Sequence, residues 1–191
     1  MDSKEYETYM KGLVFVELLS MADQQFGEDA VDSVLDTAKL PSGGAYTRVG
    51  YYPCEELVIL VDAFSKISDI PSSELERIFG NWVLDAFSVA YPDMFVRYAS
   101  PFDMLEAIEK EIHVEVRKLY PDAELPSITT LRKGNNLHLH YESDRPLANF
   151  CLGLIEGCFE KYKQKADITF IDQSGPLGGE ANFHIDISDR V

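Results

Sequence analysis

The spacing of apolar residues changes at Pro126, and this change limits the possible folds more than any other feature of the chain. Between Ser100 and Pro121 apolar residues recur every three or four positions, at Leu105, Ile108, Ile112, Val116 and Leu119. That spacing is typical of one face of a helix. Beyond Pro126, apolar and polar residues alternate, as they do in a strand with one buried face. Helices first and strands second predict an α+β fold rather than alternating βα units.

Start and stop signals set the predicted bounds of the elements. Ser100-Pro101, for example, places an N-cap residue and a first-turn proline ahead of a helical pattern. Helices are predicted over residues 10–26, 28–38, 55–67, 73–90 and 102–120, with one more opening at Pro146. Strands are predicted over residues 127–131, 137–143, 166–172 and 181–187, with a hairpin turn at Gly134 and a loop over residues 41–53. The seam between the helical part and the part that contains the sheet is expected near residues 69–73.

The charge of the chain excludes two kinds of partner. Acidic residues outnumber basic ones by 33 to 17, and the formal net charge is −16, whereas nucleic acids and anionic membranes attract clustered lysine and arginine. No run approaches the roughly 20 apolar residues that span a bilayer, and the acidic start MDSKEYETYM is unlike a signal peptide. The three cysteines, Cys54, Cys151 and Cys158, form no CxxC pair, which fits reduced thiols. We therefore expect a cytoplasmic protein with no nucleic-acid or membrane partner.

The usual catalytic and nucleotide-binding motifs are missing from the sequence. It contains no GxSxG elbow, Walker A loop, GxGxxG, HExxH or CxxC pattern, so we predict that the protein is not an enzyme. His138 and His140, two apart on a predicted strand, could supply half of a metal site. Spacing alone identifies no third ligand.

Two other features indicate a bound ligand. On an extended chain Tyr141, Ser143 and Arg145 point to one side, which suits an anion with several acceptor oxygens. His113, at the margin of the helical apolar stripe, is placed as an axial ligand of an iron porphyrin would be, although a core histidine fits that position too. Heme carries two propionates, so the two features together favour heme.

Four motifs in this chain, in order, resemble those of the heme-nitric oxide/oxygen-binding (H-NOX) domains, which also form the sensor region of soluble guanylate cyclase. They are GAYTRVGYYPCEEL from Gly44 to Leu57, IHxEVxKLYP from Ile112 to Pro121, YxSxR from Tyr141 to Arg145, and GLIEG from Gly153 to Gly157. The likeness runs from Met10-Lys11-Gly12, similar to the family's usual start, almost to the C-terminus. Residues 1–9 would then be an extension or the result of a misplaced start codon.

The resemblance implies a single H-NOX domain with about seven helices and a four-stranded antiparallel sheet. Heme b would lie between a helical N-terminal lobe, about residues 10–72, and a larger C-terminal lobe, about residues 73–191. His113 would be the proximal iron ligand, Tyr141, Ser143 and Arg145 would hold the propionates, and Pro126 would press the porphyrin out of plane. The pocket would be completed by Val14, Leu18, Val83, Phe87, Phe150 and Leu154.

Three positions that differ from the oxygen-binding members of the family indicate which gas the pocket would bind. Phe150 stands where oxygen-binding members carry a distal tyrosine, and Leu18 and Val83 match positions that are polar in those members. The pocket would then offer bound oxygen no hydrogen-bond donor, while nitric oxide, and carbon monoxide, should still bind. Ala148 and the segment SGPLGGEANF lack the cysteines that hold zinc in some relatives, so no zinc is expected.

The resemblance therefore implies a nitric oxide sensor. Loss of the iron bond to His113 would release the helix over residues 102–120, let the porphyrin relax against Pro126 and Val14, and signal to a histidine kinase or a cyclic-di-GMP enzyme. An oxygen sensor or carrier is the first alternative, with Tyr6, Tyr9 or Tyr46 as an inward-folded donor. A peroxidase-type heme enzyme is the second, and it would need a distal acid–base pair.

Overall fold

The computed structural model describes residues 8–175 and 178–187 of the 191-residue chain. Two compact units are present, residues 1–79 and 80–191, and the division lies inside a long helix. Eight α-helices, one π-helical segment and six strands lie in the described ranges. No helix in these ranges is both long and apolar enough to cross a membrane. The α+β class predicted from the sequence is confirmed.

The first unit is mainly helical. Its elements are β1 (Tyr9–Lys11), α1 (Gly12–Phe26), α2 (Glu28–Thr37), β2 (Tyr51–Pro53), α3 (Cys54–Ser68) and the start of α4 (Ser72–Ala90). The helices bury large apolar side chains, including Phe15, Leu18, Met21, Leu57, Leu60 and Phe64. The β1–β2 pair, with Met10 opposite Tyr52, was not predicted, and the expectation of a loop through residues 41–53 is wrong at its end. Strands of three residues are too short to show the alternation by which a strand is recognised.

The second unit contains the sheet. Its helical elements are the rest of α4, α5 (Pro92–Phe95), α6 (Pro101–Glu106), a π-helical turn (Ile108–Ile112), α7 (His113–Leu119) and α8 (Ala148–Lys161). Its strands are β3 (Ser127–Lys133), β4 (Asn136–Ser143), β5 (Asp167–Asp172) and β6 (Gly179–Asp186), in the antiparallel order β3-β4-β6-β5. The predicted four-stranded antiparallel sheet is therefore confirmed.

Alternation of side chains gives the sheet one buried face. Leu137, Leu139 and Tyr141 on β4 and Phe183 and Ile185 on β6 are each at most 4% exposed. They share a core with residues of α6 and α8, among them Phe102, Leu105, Ile155 and Phe159. Burial at every second residue is what fixes the register, because a one-residue shift would turn this apolar set to solvent.

The helix that carries His113 is not continuous, so the prediction of one helix over residues 102–120 is wrong. The N–H of Ile112 bonds the carbonyl of Ala107, and that of His113 bonds Ile108, each spanning five residues instead of four. One extra residue in the turn rotates all later side chains by roughly 100° about the axis. As a result Leu119, expected on the apolar stripe, is 51% exposed, whereas His113, expected at its margin, is 8% exposed.

Candidate functional site

His113 opens helix α7 with its ring buried against the end of the π-helical turn. Its Nδ1 lies 3.1 Å from Oε1 of Glu109. Burial lowers the pKa of the imidazole, while the Glu109 carboxylate acts in the opposite direction. A carboxylate can only accept, so Nδ1 carries the proton in the neutral ring and Nε2 keeps its lone pair. No residue described in the structure bonds Nε2, so this nitrogen is available to a metal ion.

Glu109 is a contact of His113 that the sequence reasoning missed. The same Oε1 also accepts the backbone N–H of Ile128 on β3, at 2.7 Å. Its position four residues before His113 was a readable signal, since side chains at that spacing are neighbours on a helix. Because the chain has 33 acidic residues, the position of a single carboxylate near His113 was weak evidence for a contact.

Tyr141, Ser143 and Arg145 are brought together at the end of β4. The Tyr141 hydroxyl donates to the Arg145 carbonyl at 3.2 Å, and the Arg145 N–H donates to Oγ of Ser143 at 3.1 Å. Burial raises the pKa of Tyr141 to about 12, so its phenol is a proton donor at neutral pH. Both hydroxyls thus hold the backbone that carries the Arg145 guanidinium.

The guanidinium of Arg145 is bonded to an acid from the loop ahead of β3. Arg145 is 6% exposed, and its two terminal nitrogens donate to the carbonyl of Glu124 at 2.8 Å and to its Oε2 at 2.5 Å. The Glu124 side chain is 61% exposed. A buried guanidinium that bonds a solvent-facing carboxylate forms a site suited to carboxylate groups.

Four predicted pocket residues of the second unit lie on two helices in close contact. Val83 and Phe87 are one turn apart on α4, and Phe150 and Leu154 are one turn apart on α8. At Gly80 the α4 backbone comes so near α8 that an added Cβ would lie 2.1 Å from the Phe150 carbonyl oxygen. All four side chains are apolar and carry no hydrogen-bond donor.

Glycines on the other helix serve the same contact. An added Cβ at Gly157 would lie 3.0 Å from Leu84 of α4, and the Cα of Gly153 faces Gly80. The two glycines of the GLIEG motif therefore lie against helix α4.

The remaining predicted residues lie in the first unit or just ahead of the sheet. Val14 and Leu18 are one turn apart on α1, and Leu18 is buried. Pro126 is half-buried in the segment that leads into β3. These positions assign no role to Val14, Leu18 or Pro126, so their part in a pocket stays a prediction.

The tyrosines considered as oxygen-side donors have other positions. The Tyr46 hydroxyl donates to Oε2 of the buried Glu56 at 2.6 Å, and its ring stacks on Phe15. Tyr9 lies on β1 and is 42% exposed. Tyr6 lies outside the described residues. The Tyr46 hydroxyl is thus used inside the first unit.

The histidines of the sheet lie on its outer face. His138 faces His184 across the β4–β6 pair, with ring centroids 4.5 Å apart, and Nδ1 of His140 lies 3.1 Å from Oδ1 of Asn182. No group of three or more histidine, cysteine or acidic side chains placed to hold a metal ion is found in the part of the chain described. The pair supplies two possible ligands on a solvated surface.

All three cysteines are buried. Burial raises the pKa of Cys151 and of Cys158 to about 12. Both thiols are therefore protonated and unreactive at neutral pH, as expected of cysteines that pack as small apolar residues.

Known proteins are similar to this chain in fold and sequence. The Haem-NO-binding family model matches residues 11–170. The Fe(II) unliganded H-NOX protein from K. algicida is 33% identical, with a TM-score of 0.88, over 95% of this chain and 98% of that one. The IWP-051-bound H-NOX from Shewanella woodyi in the Fe(II)CO ligation state is 38% identical, with a TM-score of 0.77, over 95% and 96%.

A third structure supports the fold alone. The H-NOX protein from S. oneidensis in the Fe(II)NO ligation state is 23% identical, with a TM-score of 0.81, over 94% of this chain and 100% of that one. No curated protein matches the chain. Because the family model covers most of the chain and two H-NOX structures exceed 30% identity along nearly its whole length, the chain belongs to the H-NOX, or Haem-NO-binding, family.

Proposed function

We propose that this H-NOX domain is a nitric oxide sensor that binds heme b through His113. H-NOX domains are heme-based gas sensors, and the finer assignment rests on the chain's own residues. The observation that carries it is the buried His113 ring, whose Nδ1 is held by Glu109 and whose Nε2 is left for a metal.

The donor set of the second unit fits heme. An iron porphyrin needs a neutral imidazole for its metal and hydrogen-bond donors for two carboxylates. His113 supplies the imidazole. Arg145 supplies a guanidinium that already bonds one carboxylate, and the hydroxyls of Tyr141 and Ser143 fix the backbone on which it is mounted. We therefore assign the propionates to Arg145, with Tyr141 and Ser143 beside it.

Heme, held through its iron by His113 and through its propionates by Arg145, would supply a ferrous iron that binds the gas and a bond to His113 that nitric oxide weakens. His113 would tether the segment from α6 to α7 while that bond lasts and free it afterwards. Because the segment already contains a π-helical turn, its hydrogen bonds can rearrange at that turn. Such an element, biased by ligation, is what a sensor needs to pass a signal on.

The apolar character of the proposed pocket favours nitric oxide over oxygen. Bound oxygen is stabilised by a hydrogen-bond donor, and Val83, Phe87, Phe150 and Leu154 offer none. The related structure from Shewanella woodyi in the Fe(II)CO ligation state supports binding of carbon monoxide here.

The same reasoning extends to the partner and the compartment. With a signal to pass on and no catalytic motif, the domain would act on another protein, a histidine kinase or a cyclic-di-GMP enzyme. Three buried cysteines without a CxxC pair fit the reducing cytoplasm.

Absorption spectra of the purified protein test this function. The reduced protein should show five-coordinate heme, remain ferrous without an oxygen complex in air, bind carbon monoxide, and give a five-coordinate complex with nitric oxide. A stable oxygen complex, or a six-coordinate nitric oxide complex that persists, would contradict the assignment. Protein that is colourless and takes up no added hemin would refute heme binding itself.

A further inference from the structure

Glu109 connects His113 to the sheet through a single oxygen atom. Its Oε1 lies 3.1 Å from Nδ1 of His113 and 2.7 Å from the backbone nitrogen of Ile128. Two donors on one carboxylate oxygen hold that oxygen in place from two directions. The imidazole is therefore oriented by an acceptor that is itself fixed.

The anchor is a backbone group that the sheet does not use. β3 is an edge strand, and β4 pairs with only one side of it. The N–H of Ile128 points to the other side, toward the π-helical turn that carries Glu109. Side-chain motion of Ile128 leaves this donor unmoved, so the anchor is as rigid as the strand.

A carboxylate on Nδ1–H changes the chemistry at the opposite nitrogen. As the carboxylate draws the proton toward itself, the ring gains negative charge and Nε2 becomes a stronger donor to a metal. The contact is partly shielded from solvent, because the side chain of His113 is 10% exposed and that of Glu109 is 36% exposed. A hydrogen bond to a charged acceptor is stronger there than in open water.

We infer that Glu109 is a positioning residue that strengthens the iron bond to His113 and so sets how readily nitric oxide releases this histidine. The inference rests on the proposed function, because it requires heme iron at Nε2. Release of His113 from iron would then be tuned by a residue that touches neither the iron nor the gas.

The decisive variant is Glu109→Gln, which keeps the shape and an acceptor oxygen and removes the charge. Resonance Raman spectra of the ferrous protein should show a lower iron–histidine stretching frequency than in wild type. After mixing with nitric oxide, the six-coordinate complex should become five-coordinate roughly tenfold faster, the lower end of the usual effect of residues that orient metal ligands.

Glu111→Gln is the matched control. Glu111 lies on the same π-helical turn and carries the same charge, but it accepts from the Tyr98 hydroxyl at 3.0 Å. This variant should match wild type in both measurements. If both variants lower the frequency alike, the effect is one of net charge and the inference is overturned, as it is if Glu109→Gln matches wild type.

A second measurement needs no change at Glu109. In His113→Gly protein, imidazole added to ferrous heme can donate to Glu109, whereas 1-methylimidazole has no N–H to donate. Imidazole should bind about tenfold more tightly than 1-methylimidazole, because only imidazole can donate a hydrogen bond to Glu109. Equal affinities would overturn the inference. If wild type takes up no heme, the proposed function fails instead, so the two failures are distinguishable.

Discussion

Replacing Gly80 by alanine should destabilise the second unit by forcing α4 away from α8. The added Cβ would lie 2.1 Å from the Phe150 carbonyl oxygen and 2.9 Å from the Leu154 backbone nitrogen. Real Cβ atoms essentially never come closer than 3.0 Å, so α8 has to recede by about 0.9 Å. Both contacts are backbone atoms of a helix and cannot move aside by rotating a side chain.

The expected loss of unfolding free energy is the cost of overpacking minus the gain in helix propensity. Overpacking a tight contact costs about 1–3 kcal/mol and more when backbone must shift, while alanine gains about 1 kcal/mol over glycine in a helix. We expect a net loss of about 2 kcal/mol in the free energy of unfolding, or a fall in Tm of roughly 4–8 °C. Urea and thermal unfolding, followed by circular dichroism on the heme-free protein, give both quantities.

Gly157→Ala provides the comparison. Its added Cβ would lie 3.0 Å from Cδ2 of Leu84, which can yield by a small rotation, and 3.3 Å from Leu84 Cβ, where a shift of a few tenths of an ångström relieves the crowding. The helix-propensity gain of about 1 kcal/mol should then offset most of the crowding, leaving the stability near that of wild type. If Gly80→Ala is as stable as Gly157→Ala, the close approach of α4 and α8 is not what the glycine serves.

Three further predictions concern the second unit. Arg145→Lys keeps the charge but loses the planar fork, so hemin should transfer to apomyoglobin about 10- to 100-fold faster than from wild type; an unchanged rate would remove Arg145 from the propionate site. Folding raises the pKa of Tyr141 from 10.0 to about 12, so its stabilising contribution is complete below pH 10 and is lost as the pH rises toward 12. Tyr141→Phe should therefore show a shallower loss of unfolding free energy between these pH values, and an identical slope would contradict the burial of the phenol. Cys151 and Cys158, whose thiol pKa values are about 12, should resist a thiol-specific disulfide reagent at pH 8 until the protein is unfolded; rapid labelling of the native chain would show that they are accessible.

The sheet was predictable from the sequence because its physical cause is local. Every second residue of β4 and β6 is buried, and this alternation can be read directly along the chain. The β1–β2 pair was not predictable, because three residues on each strand cannot establish a period. Its pairing depends on segments about forty residues apart in the chain, which no local pattern reports.

The surroundings of His113 were predictable only in part. Its residue type and helical setting suggested a metal ligand, but the spacing from Leu105 to Leu119 was compatible with a regular helix and hid the π-helical turn. That turn contacts the sheet through the bond from Ile128 to Glu109, and it changes which side of the helix the ring faces. Tertiary contacts of this kind leave no periodic trace in the sequence.

Sheet margins are places where separate polypeptide molecules can join by sharing backbone hydrogen bonds. The outer margin of β3 is shielded by the segment that precedes His113: Glu109 takes the Ile128 N–H, and Arg132 of β3 bonds Asp103 and Glu106 of α6. The segment from α6 to the π-helical turn, which would move when the gas binds, therefore also covers the strand edge at which two molecules could pair. A large displacement of that segment would expose the unpaired edge of β3 and favour aggregation.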